Sequence, residues 1–395
     1  MPITTSPWAR STYHVSSDGA ITAVSATTAP QDKSYSPTPL TPTVFFFARL
    51  GDMVMVTRML NLLHRRFGRP CQVIGTGSWT SSTYAGNPDV EDVWTFHRHL
   101  PFLLDAAWRP LRRALRASAP GPIYVCEKHY RQLPRIYRML YLSGVDSRRC
   151  VFLTDRPIRR PIPPTDHLVD RMVALGRRTP ANVRAEEYPV PPEGALDGPR
   201  LYVLDSERAE RDAWLRARGL FGRRLILVQP GNHRTMGPRR ARWRRMNTDD
   251  KWWPIEHWAE LLHRIHSERP DAVLLLRGSH EEIPMLQEIQ AMANLTNVAT
   301  VGTTLRQFYA LCEAASSMVS VDSGPGHAAA ALSVPLAVLY GAESPLYWLP
   351  RSPSDSPVVG VGGPPASRRA DQVSVDALFG AWRSVAGYHR TVHRT

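Results

Sequence analysis

The chain has no apolar run near the roughly 20 residues a helix needs to cross a bilayer; its longest apolar stretches are strand-sized. An apolar core of the kind a secretory signal carries is also missing near the N-terminus, so cytoplasmic residence is expected. Cysteine is scarce. Cys71, Cys126, Cys150 and Cys312 lie far apart with no C-x-x-C pair, which fits neither a metal site nor a disulfide framework and predicts reduced thiols. A dinucleotide oxidoreductase needs G-x-G-x-x-G after its first strand, and only Gly51 stands there. Helix-turn-helix, RRM and zinc-finger patterns are absent as well, so the basic charge has no nucleic-acid motif beside it and no nucleic acid is expected as partner.

What is present in excess is positive charge, +14 over 395 residues, much of it arginine. Such a balance suits an anionic partner such as a phosphorylated substrate or an acidic membrane surface, although a solvated Arg-rich surface gives the same count. The length allows two domains with cores of their own. Residues 1–41 are rich in Ser, Thr and Pro without hydrophobic periodicity and are expected to be a disordered tail. Order is expected from the strand-like Thr43–Ala48, followed by a helix over Met53–Phe67 and a strand at Cys71–Gly75. Alternation of this kind predicts a parallel sheet covered by helices. The reading is therefore α/β, with one Rossmann-like domain over 42–190, a linker over 191–222, a second Rossmann-like domain over 223–365, and a closing helix and tail over 366–395.

The second half carries the chemistry. Met318–Gly341 reads as strand, tight loop, small-residue helix and strand, with Asp322, Ser323, Gly324, Pro325, Gly326 and His327 in the loop. Gly324 and Gly326 let a backbone come close to a ligand, and the amides of Ala328 to Ala330 are expected to open a helix whose positive dipole end favours phosphate. Three further segments fall at strand ends. These are the loop at Gly231, the Asn247–Pro254 run with Lys251, and the segment Gly278-Ser279-His280-Glu281-Glu282, which offers a carboxylate for ribose hydroxyls. Trp252, Trp253 and Trp258 are expected to pack rather than to stack on a base.

These segments together resemble glycosyltransferase family 9, the bacterial heptosyltransferases that transfer heptose from ADP-heptose to the lipopolysaccharide inner core. The family's D-[ST]-G-x-x-H loop is matched by Asp322 to His327, its A-A-[AL]-x-x-P by the run Ala329 to Pro335, and its K-x-W-P by Lys251-Trp252-Trp253-Pro254. Its R-L-G-x-x-G-D signature is matched in shortened form by Arg49-Leu50-Gly51-Asp52. The resemblance implies a GT-B fold of two Rossmann-like domains facing a cleft, and inverting transfer with no metal and no cofactor, the donor being ADP-heptose or a similar nucleotide sugar. It implies Asp52 as the base, with Lys251 and the loop amides on the diphosphate. It also implies Asp322 near the donor sugar, Glu281, with Glu282 close behind, on the nucleoside ribose, and Ser323, Gly324, Gly326, His327 and Gly231 around the donor. Aspartate before a helix is also a favoured N-cap, so Asp52 carries two readings. Asp249-Asp250 leaves a metal alternative open, although no isolated D-x-D motif is present.

One stretch departs from the family's spacing. HRTMGPRRARWRR, from His233 to Arg245, inserts Arg234, Arg239, Arg240, Arg242, Arg244 and Arg245 before the lysine segment. With Arg49 these arginines are expected to contact an anionic glycan or glycolipid acceptor, with peripheral contact to the inner membrane; a solvated basic loop is the other reading. A relative acting on another acceptor (a secondary metabolite, a protein or another glycan) or using another nucleotide sugar is the alternative, and a basic nucleic-acid-binding protein is a remote one.

Overall fold

Strands buried on both faces read as unbroken apolar runs, and two sets of them build this protein. A computed structural model describes residues 37–98, 100–127, 129, 131–154, 166–192, 198–235 and 248–388. The first sheet holds β1 (Thr43–Phe45), β2 (Cys71–Thr76), β3 (Val90–Phe96), β4 (Ile123–Val125) and β5 (Cys150–Phe152), in the order β3-β2-β1-β4-β5. The second holds β6 (Leu225–Gln229), β7 (Val273–Gly278), β8 (Val298–Gly302), β9 (Ala315–Val321), β10 (Leu336–Tyr340) and β11 (Val358–Gly362), in the order β11-β10-β9-β6-β7-β8. Every pairing is parallel, with Val44 opposite Val73 and Tyr124, and Leu227 opposite Leu275 and Met318. Both orders reverse beside their first strand, at β1/β4 and at β6/β9, which is where such sheets open a crevice for ligands.

Helices cover each sheet on both faces. On the first, Thr57–Phe67 and Leu168–Arg177 pack Met59, Leu63 and Met172 on one side, while Trp108–Ala117 and Gln132–Leu142 pack Leu111, Leu115 and Ile136 on the other. On the second, Ile255–Glu268, Ile283–Ala293 and Val375–Ala386 cover one side, and Asp205–Arg216, Leu305–Ala314 and Gly324–Ala331 the other. Trp253 and Trp258 are fully buried in the first of these layers, edge to face at 4.9 Å between ring centroids.

Three expectations shift and a fourth holds. The Met53–Phe67 helix is two helices, Leu50–Met55 and Thr57–Phe67, because the Thr57 hydroxyl donates to the Val54 carbonyl at 2.7 Å where the ladder would continue. Order begins ahead of residue 42, since Leu40 pairs with Gly68 and both Leu40 and Thr41 are buried; residues 1–36 lie outside the described residues. The stretch expected as a linker contains the Asp205–Arg216 helix, and Leu201, Val203 and Leu215 belong to the core under the second sheet. The closing helix expected within 366–395 is present as Val375–Ala386, and its Leu378 and Trp382 are buried in the same core as Ala337 and Leu339.

The two halves meet through helix Leu50–Met55, which lies on helix Gly324–Ala331 with Val54 buried among the second half's apolar side chains. Glycine permits the approach. A Cβ on Gly51 would stand 2.9 Å from the His327 ring, and one on Gly324 would stand 2.9 Å from Leu50. Three more ties cross over: His167 Nε2 to the Leu349 carbonyl at 2.8 Å, Arg306 to the Ser82 carbonyl at 3.1 Å, and Arg351 with Asp170 at 2.5 Å.

Candidate active site

The loops after β1, β2 and β3 face those after β6, β7, β8 and β9 across a cleft of about 690 Å³. Asp52 lines it from the first half at the third position of the Leu50–Met55 helix, not before it, with Oδ2 accepting the Arg49 amide at 3.3 Å. Capping and facing the cleft are thus both true of Asp52. Arg49 lines the cleft too, and its guanidinium donates to His233 Nε2 at 2.9 Å across the gap.

From the second half, Lys251 reaches Asp322. Its ammonium donates to Oδ2 at 2.6 Å and to the backbone carbonyl at 3.1 Å, with the two side chains only 16% and 8% exposed. The neighbouring carboxylates are committed: Asp249 accepts from Asn232, Arg234 and the Lys251 amide, and Asp250 from Arg234 and the Ala342 amide. Among the described residues no group of three His, Cys, Asp or Glu is placed to hold a metal.

The helix after the loop starts at Gly324, so Ala328 to Ala330 lie inside it and their amides serve the helix ladder rather than an anion. Pro325 has no N–H, and the amides of Gly326 and His327 both point at the Ser323 carbonyl, at 3.0 and 3.4 Å. Ser323 and Gly324 line the cleft with Asp322 and His327, whereas Gly326 sits buried one turn in, behind the lining. His327 is buried; burial and the Lys251 charge outweigh Asp322 and hold its pKa down at about 4, so the ring is neutral near pH 7. Its Nδ1 has no hydrogen-bond partner.

Glu281 is exposed and outside the lining, while Glu282 turns in. The cause is a capping-box contact, the Ser279 amide donating to one Glu282 oxygen at 2.8 Å, together with the Thr235 hydroxyl, which donates to the other at 2.6 Å. Gly231 makes room for that carboxylate, since a Cβ there would stand 1.8 Å from Glu282 Oε1. Arg239, Arg240, Arg242, Arg244 and Arg245 lie outside the described residues, and Arg234 is held by Asp249 and Asp250.

Sequence reasoning passed over Arg277. It ends the apolar run Val273–Leu276, is 4% exposed and lines the cleft. Its guanidinium donates to Gln229 Oε1 at 2.7 Å and Thr303 Oγ1 at 2.8 Å and lies over the Phe308 ring, with no hydrogen bond to a carboxylate among the described residues. Burial lowers its pKa to about 10, still cationic near neutrality. A lone arginine closing an all-aliphatic strand was the available signal, because such strand ends face the crevice.

The model of glycosyltransferase family 9 (heptosyltransferase) matches residues 145–374, more than half of the chain. The lipopolysaccharide core heptosyltransferase OpsX of Haemophilus influenzae is 29% identical over 139 residues, which cover 35% of this chain and 36% of that protein. The aligned stretch thus spans about a third of that relative's length. The fold extends further. The ADP-heptose lipopolysaccharide heptosyltransferase II of E. coli superposes with a TM-score of 0.62 at 21% identity, over 88% of this chain and 98% of that one. The E. coli heptosyltransferase WaaC with ADP does so with a TM-score of 0.59 at 17% identity, over 87% and 99%. The two doubly wound sheets are therefore a GT-B arrangement, and the chain belongs to glycosyltransferase family 9, the heptosyltransferases.

Proposed function

We propose that the protein is an inverting glycosyltransferase that moves heptose from ADP-heptose to a hydroxyl of the lipopolysaccharide inner core, without a metal ion. The observation that carries this reading is one cleft with Asp52 on one wall and the buried Lys251–Asp322 pair on the other. In the reaction the acceptor oxygen bonds to the anomeric carbon as the bond to the β-phosphate oxygen breaks. Asp52 takes the hydroxyl proton, and the leaving diphosphate keeps the bonding electrons. Lys251 meets the charge growing on that diphosphate, Asp322 the sugar hydroxyls and Glu282 the ribose, while the packed halves exclude water. The ADP bound in the E. coli WaaC structure supports an adenine nucleotide.

A donor screen tests this. ADP-heptose at modest excess should raise the melting temperature and be turned over in EDTA, and Asp52→Asn should cut turnover at least about a hundredfold while leaving that shift intact. A larger shift with UDP- or GDP-sugars overturns the donor assignment. Near-normal turnover by Asp52→Asn moves the base elsewhere.

A further inference from the structure

Six of the eleven exposed large apolar side chains among the described residues fall between Leu100 and Leu142, on one part of the first half. Leu103 and Leu104 are 58% and 73% exposed at the tip of a short turn, Phe102–Leu104. The turn is not loose. Phe102 beneath it is buried against Trp108 at 4.8 Å between ring centroids, and the buried Asp105 carboxylate accepts the amides of His97 and Ala107, at 2.8 and 3.1 Å. Two leucines are thus held outward on a rigid base.

The helix that follows, Trp108–Ala117, buries Trp108, Leu111 and Leu115 and exposes Arg109, Arg112, Arg113 and Arg116. At 3.6 residues per turn those four arginines fall within an arc of about 100°. Among the described residues none of the four forms an ion pair with a carboxylate. Arg116 Nε donates to the Ser143 carbonyl at 3.1 Å, which sets the end of helix Gln132–Leu142, with Tyr141 and Leu142 exposed, alongside the arginine face. Arg98, two residues before Leu100, lines the cleft on its first-half side.

We infer that this surface docks on an anionic lipid bilayer. The leucine turn inserts at the headgroup boundary, and the arginine face lies along the phosphates. Apolar tips beside unpaired cations match such a surface, which offers negative charge and hydrocarbon a few ångströms apart. A protein partner would have to cover four uncompensated guanidinium groups at the cost of their hydration. Because Arg98 joins the patch to the cleft, docking would hold the acceptor-side mouth at the membrane. This deepens the glycolipid-acceptor reading but is read out without donor or acceptor.

The experiment is co-sedimentation of the full chain with vesicles of phosphatidylcholine alone or mixed with phosphatidylglycerol, at low and high salt, together with light scattering of the free protein. The expected result is binding to the mixed vesicles only, weakened by salt. It should fall about tenfold in Leu103→Ser/Leu104→Ser and in Arg112→Glu/Arg113→Glu, with melting temperature and donor-induced shift unchanged. Equal binding to both vesicle types, or unchanged binding by both variants, overturns the proposal. So does a dimer in solution that the leucine variant dissociates, because the patch is then an interface between copies. Failure of the donor screen with vesicle binding intact would strike the proposed reaction and leave this surface standing.

Discussion

Replacing Lys251 by methionine keeps the aliphatic stem and removes the ammonium that now touches Asp322 twice. With both side chains largely buried, the loss leaves an uncompensated carboxylate at the floor of the cleft. Breaking such a pair costs about 3–5 kcal/mol, and at about 2–4 °C per kcal/mol in a domain of this size the lower figure alone lowers the melting temperature by about 6–12 °C. Adding Asp322→Asn removes the stranded charge, so the double variant should recover most of that loss. Catalysis should behave differently. If the ammonium also meets the departing diphosphate, Lys251→Met and the double variant should both lose about 10²–10³ in kcat. The assay is a thermal melt of wild type, both single variants and the double variant, beside single-turnover transfer from the nucleotide sugar. An unchanged melt in Lys251→Met, or a double variant no more stable than it, refutes the buried-pair argument. Activity that returns together with stability would make Lys251 a purely structural cation.

Gly51→Ala gains about 1 kcal/mol of helix propensity but drives a Cβ to 2.9 Å from the His327 ring. Overpacking at a buried contact costs about 1–3 kcal/mol, so the variant should melt lower and bind donor more weakly, and a higher melting temperature sinks the close-packing account. Acid should loosen the same junction. His327 titrates at about 4 in the fold against about 6.5 unfolded, so the unfolded chain binds more protons across that window and stability falls as pH drops through it, by on the order of 3 kcal/mol for this ring. His167 acts in the same direction: burial and Arg351 lower its pKa, its Nδ1 accepts the Val169 amide, and its Nε2 holds the Leu349 carbonyl. Melts from pH 7 to pH 4 on wild type and His327→Gln should show a shallower decline in the variant; parallel curves count against the assignment.

Much of the second half was legible because its strands are buried on both faces and announce themselves as aliphatic runs. The Ile283–Ala293 helix falls where periodicity puts it, as does the bulk of the helix beginning at Ile255. β11 carries two glycines in Val358–Gly362 and is only partly buried, so its pattern is faint. The Asp205–Arg216 helix is mostly charged and buries only Leu215, so no periodic stripe marks it. Glu282 over Glu281 was decided by the direction in which a three-residue turn aims its side chains, and consecutive residues cannot show that in one dimension.

By itself the sequence determined the family, the alternation of strand and helix, and the types of group at the strand ends. Those follow from local order: buried parallel strands must be apolar, and chemistry must sit in the loops between them. Tertiary structure alone decided that Lys251 is tied to Asp322, that Glu282 fills the space Gly231 leaves, and that Gly51 and Gly324 serve the contact between the two halves. It also made Arg277 a buried cation in the cleft. These are contacts between residues dozens to hundreds of positions apart. They exist only once each sheet has stacked its strand ends and the two sheets have turned those ends toward each other.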